Sequence, residues 1–278
     1  METGQYAGFE TTLTESGVLR LRFDRPDRMN GMSVAMKRDL IEQLTQAQMA
    51  NEVRVVLFEG SGRAFCAGDD LRAYTDPTAS GEARMPAIHP GHDSGIGTYS
   101  ALRTVSQRVN RAIRELDKLT VAAINGIAIQ TGFSLALACD FRIAATSARM
   151  GSATLRFALL PDEGGHYLLV QHLGVAGAMD FLMRKRIVDA ARALELGLVH
   201  EVVEDDLLEA VALDLAEELA AGPQTAMRLL KRSLYAAADA QLASAFDDIA
   251  ARTAVSDHHP DAREGVAAFR EKRAPKFS

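Results

Sequence analysis

The order of apolar and polar positions predicts alternating strands and helices in the first part of the chain. Residues 17–23 alternate between apolar and basic side chains, as a half-buried strand does. The strongly apolar segments 53–58 and 120–124 are typical of buried strands. A helix capped by Ser33 is predicted to reach about residue 49, and another helix is predicted from about 99 to 117.

The same pattern divides the chain into two regions. An α/β core is predicted over residues 1–200, and a helical C-terminal region over residues 201–278. Residues 72–97 are rich in Pro, Gly, Ser and His and show little periodicity, so a long surface loop is predicted inside the core.

The first helix of the C-terminal region carries start and stop signals. Asp206 with Glu209 has the spacing of a capping box, and Gly222-Pro223 is expected to end this helix and begin the next. The predicted buried face consists of Leu207, Leu208, Val211, Leu215 and Leu219.

Composition and charge indicate a soluble globular protein. The 278 residues are 47% hydrophobic and 24% charged, and the net charge of −6 argues against general nucleic-acid binding. No apolar run approaches the ~18 residues that a membrane span requires, and the first residues lack the features of a signal peptide. Cys66 and Cys139 are too few for a disulfide framework, so a cytoplasmic location is expected.

Two stretches carry the candidate chemistry. Residues 63–71 and 123–140 each follow an apolar strand with a turn of small residues, which let a ligand approach the backbone closely. A helix N-terminus offers unpaired N–H groups, so two such turns side by side predict an oxyanion site built from backbone amides. The chain has no glycine-rich nucleotide-binding motif and no histidine–cysteine spacing for a metal, so catalysis is expected from backbone donors and ordinary side chains.

Five segments in register resemble the crotonase, or enoyl-CoA hydratase/isomerase, superfamily. The resemblance implies an α/β fold made of a spiral of ββα turns, with a C-terminal helical region for trimerisation. It also implies an acyl-CoA substrate, no separate cofactor, and homotrimers that often pair into hexamers. The segments are RPDRMNGM (25–32), RAFCAGDDL (63–71), AINGIAIQTGFSLALACD (123–140), LLPDEGG (159–165) and REGVAAFREKRAPKF (263–277).

The family stabilises a thioester enolate with two backbone N–H groups. By motif position, the resemblance assigns these donors to Asp69 and Thr131, with further CoA contacts at Ala64 and Ala67. A donor of this kind typically contributes about 2.7–4 kcal/mol of transition-state stabilisation. The alternative is that both stretches are tight turns in a domain without activity.

Residues near both ends of the chain, most of them basic, match positions that hold CoA in the family. Arg25 and Arg28 lie where the phosphates are held, and Phe269 and Lys272 match tail positions that touch CoA, often across a subunit boundary. The tail is locally basic in an acidic chain, which suits phosphate groups. The alternative is a solvated helix end that its dipole favours.

The departures from the family pattern bear on the reaction. Ser134 and Thr154 occupy the positions of the two glutamates that manage water in hydratases, and Gln130-Thr131-Gly132 replaces the usual glycines. Neither a serine nor a threonine can act as a carboxylate base. Ordinary hydration of a fatty enoyl-CoA is therefore not expected.

The segment 159–165 supplies carboxylates instead. The resemblance places Asp162 where isomerases of the family shuttle a proton, and Glu163 is a second candidate; the alternative is a turn in which Asp162 caps the next helix. His166 follows one helical turn later and could form a relay with Asp162, or simply pack. His89 and His92 in the long loop could enter the pocket or remain in solvent.

The predicted function is proton transfer on a thioester enolate, giving double-bond isomerisation with Asp162 as acid–base. Two other functions remain open. One is a hydratase or ring-opening hydrolase acting on an unusual acyl-CoA, and the other is a non-catalytic acyl-CoA-binding homologue.

Overall fold

The computed structural model describes residues 1–70, 94–238 and 240–278. Eleven strands form two sheets within these residues. A seven-stranded sheet has the order β1-β2-β3-β4-β6-β8-β11, and a four-stranded sheet has the order β10-β9-β7-β5. The strands are β1 (Gly4–Tyr6), β2 (Phe9–Leu13), β3 (Val18–Phe23), β4 (Val55–Gly60), β5 (Ala64–Cys66), β6 (Leu119–Ile124), β7 (Ile127–Ile129), β8 (Phe141–Ala145), β9 (Arg149–Gly151), β10 (Ile187–Asp189) and β11 (Glu201–Val203).

The helices lie between the strands and, after β11, follow one another to the end of the chain. They are α1 (Val34–Met49), α2 (Gly95–Ala101), α3 (Gln107–Glu115), α4 (Thr131–Ala138), α5 (Gly165–Met183), α6 (Ala190–Glu195), α7 (Leu208–Ala221), α8 (Gln224–Ala237), α9 (Leu242–Asp257) and α10 (Pro260–Glu271). A π-helical segment at Leu102–Ser106 joins α2 to α3. None of the described helices is long and apolar enough to cross a membrane.

The central parallel strands β4 and β6 are apolar except for Glu59 and Thr120, because both faces of the large sheet are covered. In β4, Val56 and Phe58 face one core, which α1 completes with residues such as Leu40. Val55 and Leu57 face a second core on the other side of the sheet, against α7. All six residues of β6 are buried, as expected for a strand between two helical layers.

Most of the elements predicted from periodicity are confirmed. The strands predicted at 17–23, 53–58 and 120–124 correspond to β3, β4 and β6. Ser33 caps α1 by accepting a hydrogen bond from the Met36 amide at 3.2 Å. The helix predicted at 99–117 corresponds to α2, the π-helical segment and α3 together.

Three local predictions are wrong: the capping box, the burial of Leu207 and the end of the long loop. No side chain caps α7, which begins at Leu208, so Asp206 and Glu209 do not form a capping box. The deepest residues of α7 are Leu208 and three alanines, because small side chains let the helix approach the sheet closely, while Leu207 is exposed. The predicted loop also ends too late, because 95–97 begin α2. His89 and His92 lie outside the described residues.

The chain after residue 200 remains joined to the core. Strand β11 pairs with β8 in the large sheet, and α7 packs against the same sheet. Helix α8 is anchored by Lys231, whose ammonium donates to Asp140 at 2.8 Å and to the Lys118 carbonyl at 2.8 Å. The Tyr235 hydroxyl donates to the other oxygen of Asp140.

Candidate active site

The two predicted backbone donors lie side by side. Strands β5 and β7 are parallel neighbours, so the turns that follow them leave the same edge of the small sheet. Asp69 lies on the first turn and Thr131 begins α4 on the second. Among the residues that the structure describes, neither backbone N–H has a hydrogen-bond acceptor. Both donors are therefore available to a ligand oxygen.

Glycines make this close approach possible. Gly68 has φ +104°, a conformation that other residues rarely adopt, and a Cβ there would lie 3.1 Å from the Cβ of Gln130. A Cβ on Gly132 would lie only 2.0 Å from the Cys66 carbonyl oxygen. The start of α4 thus rests directly on the end of β5.

Gln130, which lies beside Gly68 in space and two residues before Gly132 in the chain, has a strained backbone. Gln130 has φ 54° and ψ −114°, a region that normally favours glycine, and such conformations cost about 1–3 kcal/mol. Its side chain is held at both ends. Its carbonyl oxygen accepts from Ser152 at 2.9 Å, and its amide nitrogen lies 3.3 Å from the nearer carboxyl oxygen of Glu163. These contacts fix the peptide that presents the Thr131 N–H.

The first motif of the sequence lies against the first donor turn. The Met32 amide donates to the Gly68 carbonyl at 2.9 Å, and the Asp70 amide donates to the Met32 carbonyl at 3.0 Å. Arg25 forms an ion pair with Asp70 at 2.6 Å. Arg25 therefore helps to hold the motif together, and its assignment to the CoA phosphates stays a prediction.

The other predicted CoA contacts are placed differently. Arg28 has one guanidinium nitrogen that is buried and, among the described residues, without a hydrogen-bond partner. Ala64 is fully buried, with its carbonyl oxygen accepting from Asn30 at 2.7 Å, whereas Ala67 is partly exposed. Phe269 is 86% exposed on α10. These assignments stay predictions, as does that of Lys272, which is exposed at the end of α10.

A cluster of carboxyl groups surrounds the Thr131 hydroxyl. Its oxygen lies 2.7 Å from Asp69 Oδ1 and 2.8 Å from Glu163 Oε1. Asp69 also accepts from the ammonium of Lys37 at 2.7 Å, and Lys37 is completely buried. Burial, followed by the charges of Asp162 and Asp69, raises the pKa of Glu163 to about 7.

Asp162 lies on the same turn as Glu163 and close to the same cluster. Its pKa is raised, first by burial and then by the charge of Asp69. Helix α3 holds the turn in place, because Gln107 donates to the Asp162 carbonyl at 2.9 Å and Asn110 to the Glu163 carbonyl at 3.0 Å. No side chain caps α5, so the alternative role of Asp162 as a helix cap is wrong.

The remaining predicted polar residues have local partners. The hydrogen bond that the structure shows for the His166 ring joins Nδ1 to the Pro161 carbonyl oxygen at 3.1 Å, not to Asp162. Ser134 is buried against Gly165, and the Thr154 hydroxyl lies 3.2 Å from that of Ser152. Burial raises the pKa of the Cys66 thiol to about 12, which agrees with a packing role.

A cavity of about 670 Å³ adjoins the carboxyl turn. Asp162, Glu163 and His166 line it together with side chains of α3, α8 and α9. Arg114 lies in its wall, with its guanidinium 3.6 Å from the centre of the Tyr235 ring.

Comparison with known proteins identifies the family. The sequence profile of the enoyl-CoA hydratase/isomerase family matches residues 13–278. The chain belongs to the enoyl-CoA hydratase/isomerase family. It is an acyl-CoA enzyme of this family, and the α/β crotonase fold predicted from the sequence is confirmed.

The relatives differ in their reactions. The chain is 34% identical over 268 residues to 1,2-epoxyphenylacetyl-CoA isomerase of Escherichia coli, covering 95% of this chain and 96% of that protein. It is 31% identical over 267 residues to rat mitochondrial methylglutaconyl-CoA hydratase, covering 94% and 79%. A crystal structure of an enoyl-CoA hydratase from Bacillus anthracis superposes with a TM-score of 0.87 at 31% identity, covering 98% and 99%.

Sequence reasoning missed three parts of this site: the Lys37 ammonium, the Asp69 carboxylate and the Thr131 hydroxyl. A signal for Lys37 was present, because it lies three residues before Leu40 and seven before Leu44, on the buried stripe of α1. A lysine on an apolar stripe requires a buried anionic partner. The sequence did not show which carboxylate that would be.

Proposed function

We propose that this enzyme isomerises an unsaturated acyl-CoA by moving a proton on a thioester enolate, with Asp162 as the acid–base. The observation that carries the proposal is that Glu163 contacts the Thr131 hydroxyl at 2.8 Å and that the neighbouring Asp162 is close enough to Asp69 for its charge to raise the Asp162 pKa. The backbone N–H groups of Asp69 and Thr131 have no acceptor among the described residues. A base beside an oxyanion site is the arrangement that proton abstraction next to a thioester carbonyl requires.

The reaction needs only one proton and one site for the developing charge. Asp162 takes a proton from Cα of a 3-enoyl thioester. The C–H electron pair forms a double bond from Cα to the thioester carbon, and the carbonyl π electrons move to the thioester oxygen. This oxygen accepts hydrogen bonds from the N–H groups of Asp69 and Thr131. Asp162 then returns the proton at Cγ, the thioester carbonyl re-forms, and the double bond lies between Cα and Cβ. The raised pKa of Asp162 brings its proton affinity closer to that required for both steps.

Hydration is less well supported by the same residues. Activation of water needs a carboxylate, and Ser134 and Thr154 stand at the two positions where hydratases carry glutamates. The relatives include both isomerases and hydratases, so the side chains of this chain decide between the reactions.

The CoA portion is proposed to bind through Arg28 and through the basic tail. Because Phe269 and Lys272 are exposed in the single chain, their contacts with CoA are proposed to reach the site of a neighbouring subunit in a trimer. The substrate brings its own CoA, so the proposal requires no separate cofactor.

The test is isotope exchange in deuterated water with a panel of 3-enoyl-, 2-enoyl- and dienoyl-CoAs. Asp162→Asn keeps the size of the side chain but cannot accept a proton, so exchange at Cα and Cγ should fall about 10²–10⁴-fold. Binding of CoA, followed as a rise in melting temperature, should be almost unchanged. Asp180→Asn on the exposed surface of α5 is the matched control.

Three results would contradict parts of this proposal. Full exchange in Asp162→Asn with loss in Glu163→Gln would transfer the acid–base role to Glu163. Rapid native hydration of crotonyl-CoA would favour a hydratase. Tight CoA binding without exchange on any substrate would favour the non-catalytic alternative.

A further inference from the structure

The two short contacts of the Thr131 hydroxyl require one more proton than the hydroxyl itself carries. Its oxygen lies 2.7 Å from Asp69 Oδ1 and 2.8 Å from Glu163 Oε1. A hydroxyl carries one proton and can donate only one of these bonds. The other short contact therefore needs a proton on one of the two carboxyl groups.

The surroundings decide which carboxyl group carries that proton. Asp69 accepts from the ammonium of Lys37 at 2.7 Å, and this buried ammonium favours a charged partner. Lys37 also donates to the Ser106 hydroxyl at 2.9 Å. Glu163 is buried, and besides Thr131 its carboxyl group contacts only groups that carry no positive charge among the described residues: the Gln130 amide at 3.3 Å, its own backbone N–H and the neighbouring Asp162. The Thr131 proton is thus directed to Asp69, and the second proton remains on Glu163.

We infer that Asp69 and Glu163 share a single proton across the Thr131 hydroxyl, and that Lys37 is the positioning residue that holds this proton on Glu163. Glu163 donates a hydrogen bond to the Thr131 hydroxyl, and this hydroxyl donates to Asp69. The Lys37 ammonium donates to the other oxygen of Asp69. None of these side chains needs to exchange a proton with the substrate.

For the proposed isomerase, on which this step rests, the consequence concerns Asp162. With Glu163 neutral and Asp69 paired with Lys37, Asp162 is the carboxyl group of the cluster for which the structure shows no ion pair among the described residues. Asp162 can accept the substrate proton. Because Glu163 is neutral and Asp69 is paired with Lys37, these two groups add little negative charge next to the forming enolate.

The charged and titratable groups that face Glu163 are known for the described residues. They are Asp162 on its own turn, Asp69 across Thr131 with Lys37 behind it, the Cys66 thiol at the end of β5, and His166 and Arg114, which line the same cavity. The two aspartates and burial favour the neutral acid, in agreement with a Glu163 pKa of about 7. Loss of the proton is therefore expected near neutral pH.

Difference infrared spectroscopy of the whole protein tests the inference without any substrate. The spectrum of the wild type minus that of Glu163→Gln should contain the carbonyl band of a protonated carboxylic acid at pH 5.5, as ~5.5 lies below the Glu163 pKa of about 7. The band should disappear as the pH rises through that value. Glu59→Gln is the matched control, because Glu59 is equally buried but ion-paired with Arg20 at 2.8 Å and should give no such band.

Two charge-removing variants should move the midpoint of this band in opposite directions. Lys37→Met removes a positive charge and should raise the midpoint by about one pH unit or more, whereas Asp69→Asn removes a negative charge and should lower it. A purely structural role for the two residues predicts no such opposition. Lys118→Met, which removes a buried lysine that donates to the Ala50 carbonyl, should leave the midpoint unchanged.

The outcomes separate this inference from the proposed function. Absence of the band at every pH between about 5 and 9, or shifts of the same sign in Lys37→Met and Asp69→Asn, would overturn the inference. If Lys37→Met does not fold, the downward shift in Asp69→Asn decides alone. Failure to find exchange on any substrate would refute the isomerase and leave the infrared result standing.

Discussion

The contact between Gly132 and Cys66 provides the sharpest test of the oxyanion geometry. In Gly132→Ala, the new Cβ would lie 2.0 Å from the Cys66 carbonyl oxygen and 2.7 Å from the Cys66 Cβ. Ordinary contact begins at 3.4 Å, so the start of α4 must move away from β5 by about 1.4 Å. That movement carries the adjacent Thr131 N–H with it.

The expected loss follows from the size of this displacement. A misplacement of about 1 Å can cost ~10²-fold in rate, and loss of one oxyanion donor costs about 2.7–4 kcal/mol, or ~10²–10³-fold. Overpacking should also cost about 1–3 kcal/mol of folding stability. The exchange rate in deuterated water should therefore fall ~10²–10³-fold in Gly132→Ala.

The matched control is Gly265→Ala on α10. A Cβ at Gly265 would meet only a ring carbon of Phe277 at 3.7 Å, an ordinary contact. The exchange rate should be that of the wild type, and the melting temperature should be equal or slightly higher, because alanine favours a helix over glycine. A Gly132→Ala enzyme with the native rate and native melting temperature would refute the reasoning, because Thr131 would then not need its observed position.

Two further predictions concern buried groups. Lys231→Met should cost about 3–5 kcal/mol of stability, measured by chemical unfolding, because it leaves the buried Asp140 carboxylate without its cation. Arg232→Met, which breaks the partly exposed pair with Asp117 and a hydrogen bond to the Glu115 carbonyl, should cost only about 1–2 kcal/mol. An equal loss in both would contradict the anchoring of α8. Cys66 should resist alkylation in the native protein at pH ~8 and react after unfolding, as peptide mass mapping would show, because burial raises its pKa to about 12.

The elements that were predictable from the sequence are those whose burial leaves a local pattern. Strand β6 lies between two cores and is apolar at every position except Thr120, and Ser33 caps α1 through a contact three residues away. The start of α7 was not predictable in this way. Its first turn is set by packing of Leu208 against the distant large sheet, and this contact overrides the capping signal of Asp206 and Glu209.

The candidate site shows the same division between local and distant contacts. The backbone donors at Asp69 and Thr131 were assigned from motifs in which the turn and its glycines are neighbours in sequence. The link between Lys37 and Asp69 spans 32 residues, and the link from Asp69 to Thr131 spans 62. A sequence without its fold contains no pattern that pairs such positions, although a lysine on the apolar stripe of α1 indicates that a partner exists.

The strained residue between the two donor turns connects the geometry of the site to its charge. A glycine at position 130 would adopt φ 54° without strain, but it would have no side chain to reach Ser152 and Glu163. The Gln130 amide lies 3.3 Å from the carboxyl group inferred to hold the shared proton, while its backbone presents the Thr131 N–H. The same residue thus fixes an oxyanion donor and contacts the neutral acid beside it. Strain of about 1–3 kcal/mol persists at this position because contacts at both ends of the side chain offset it.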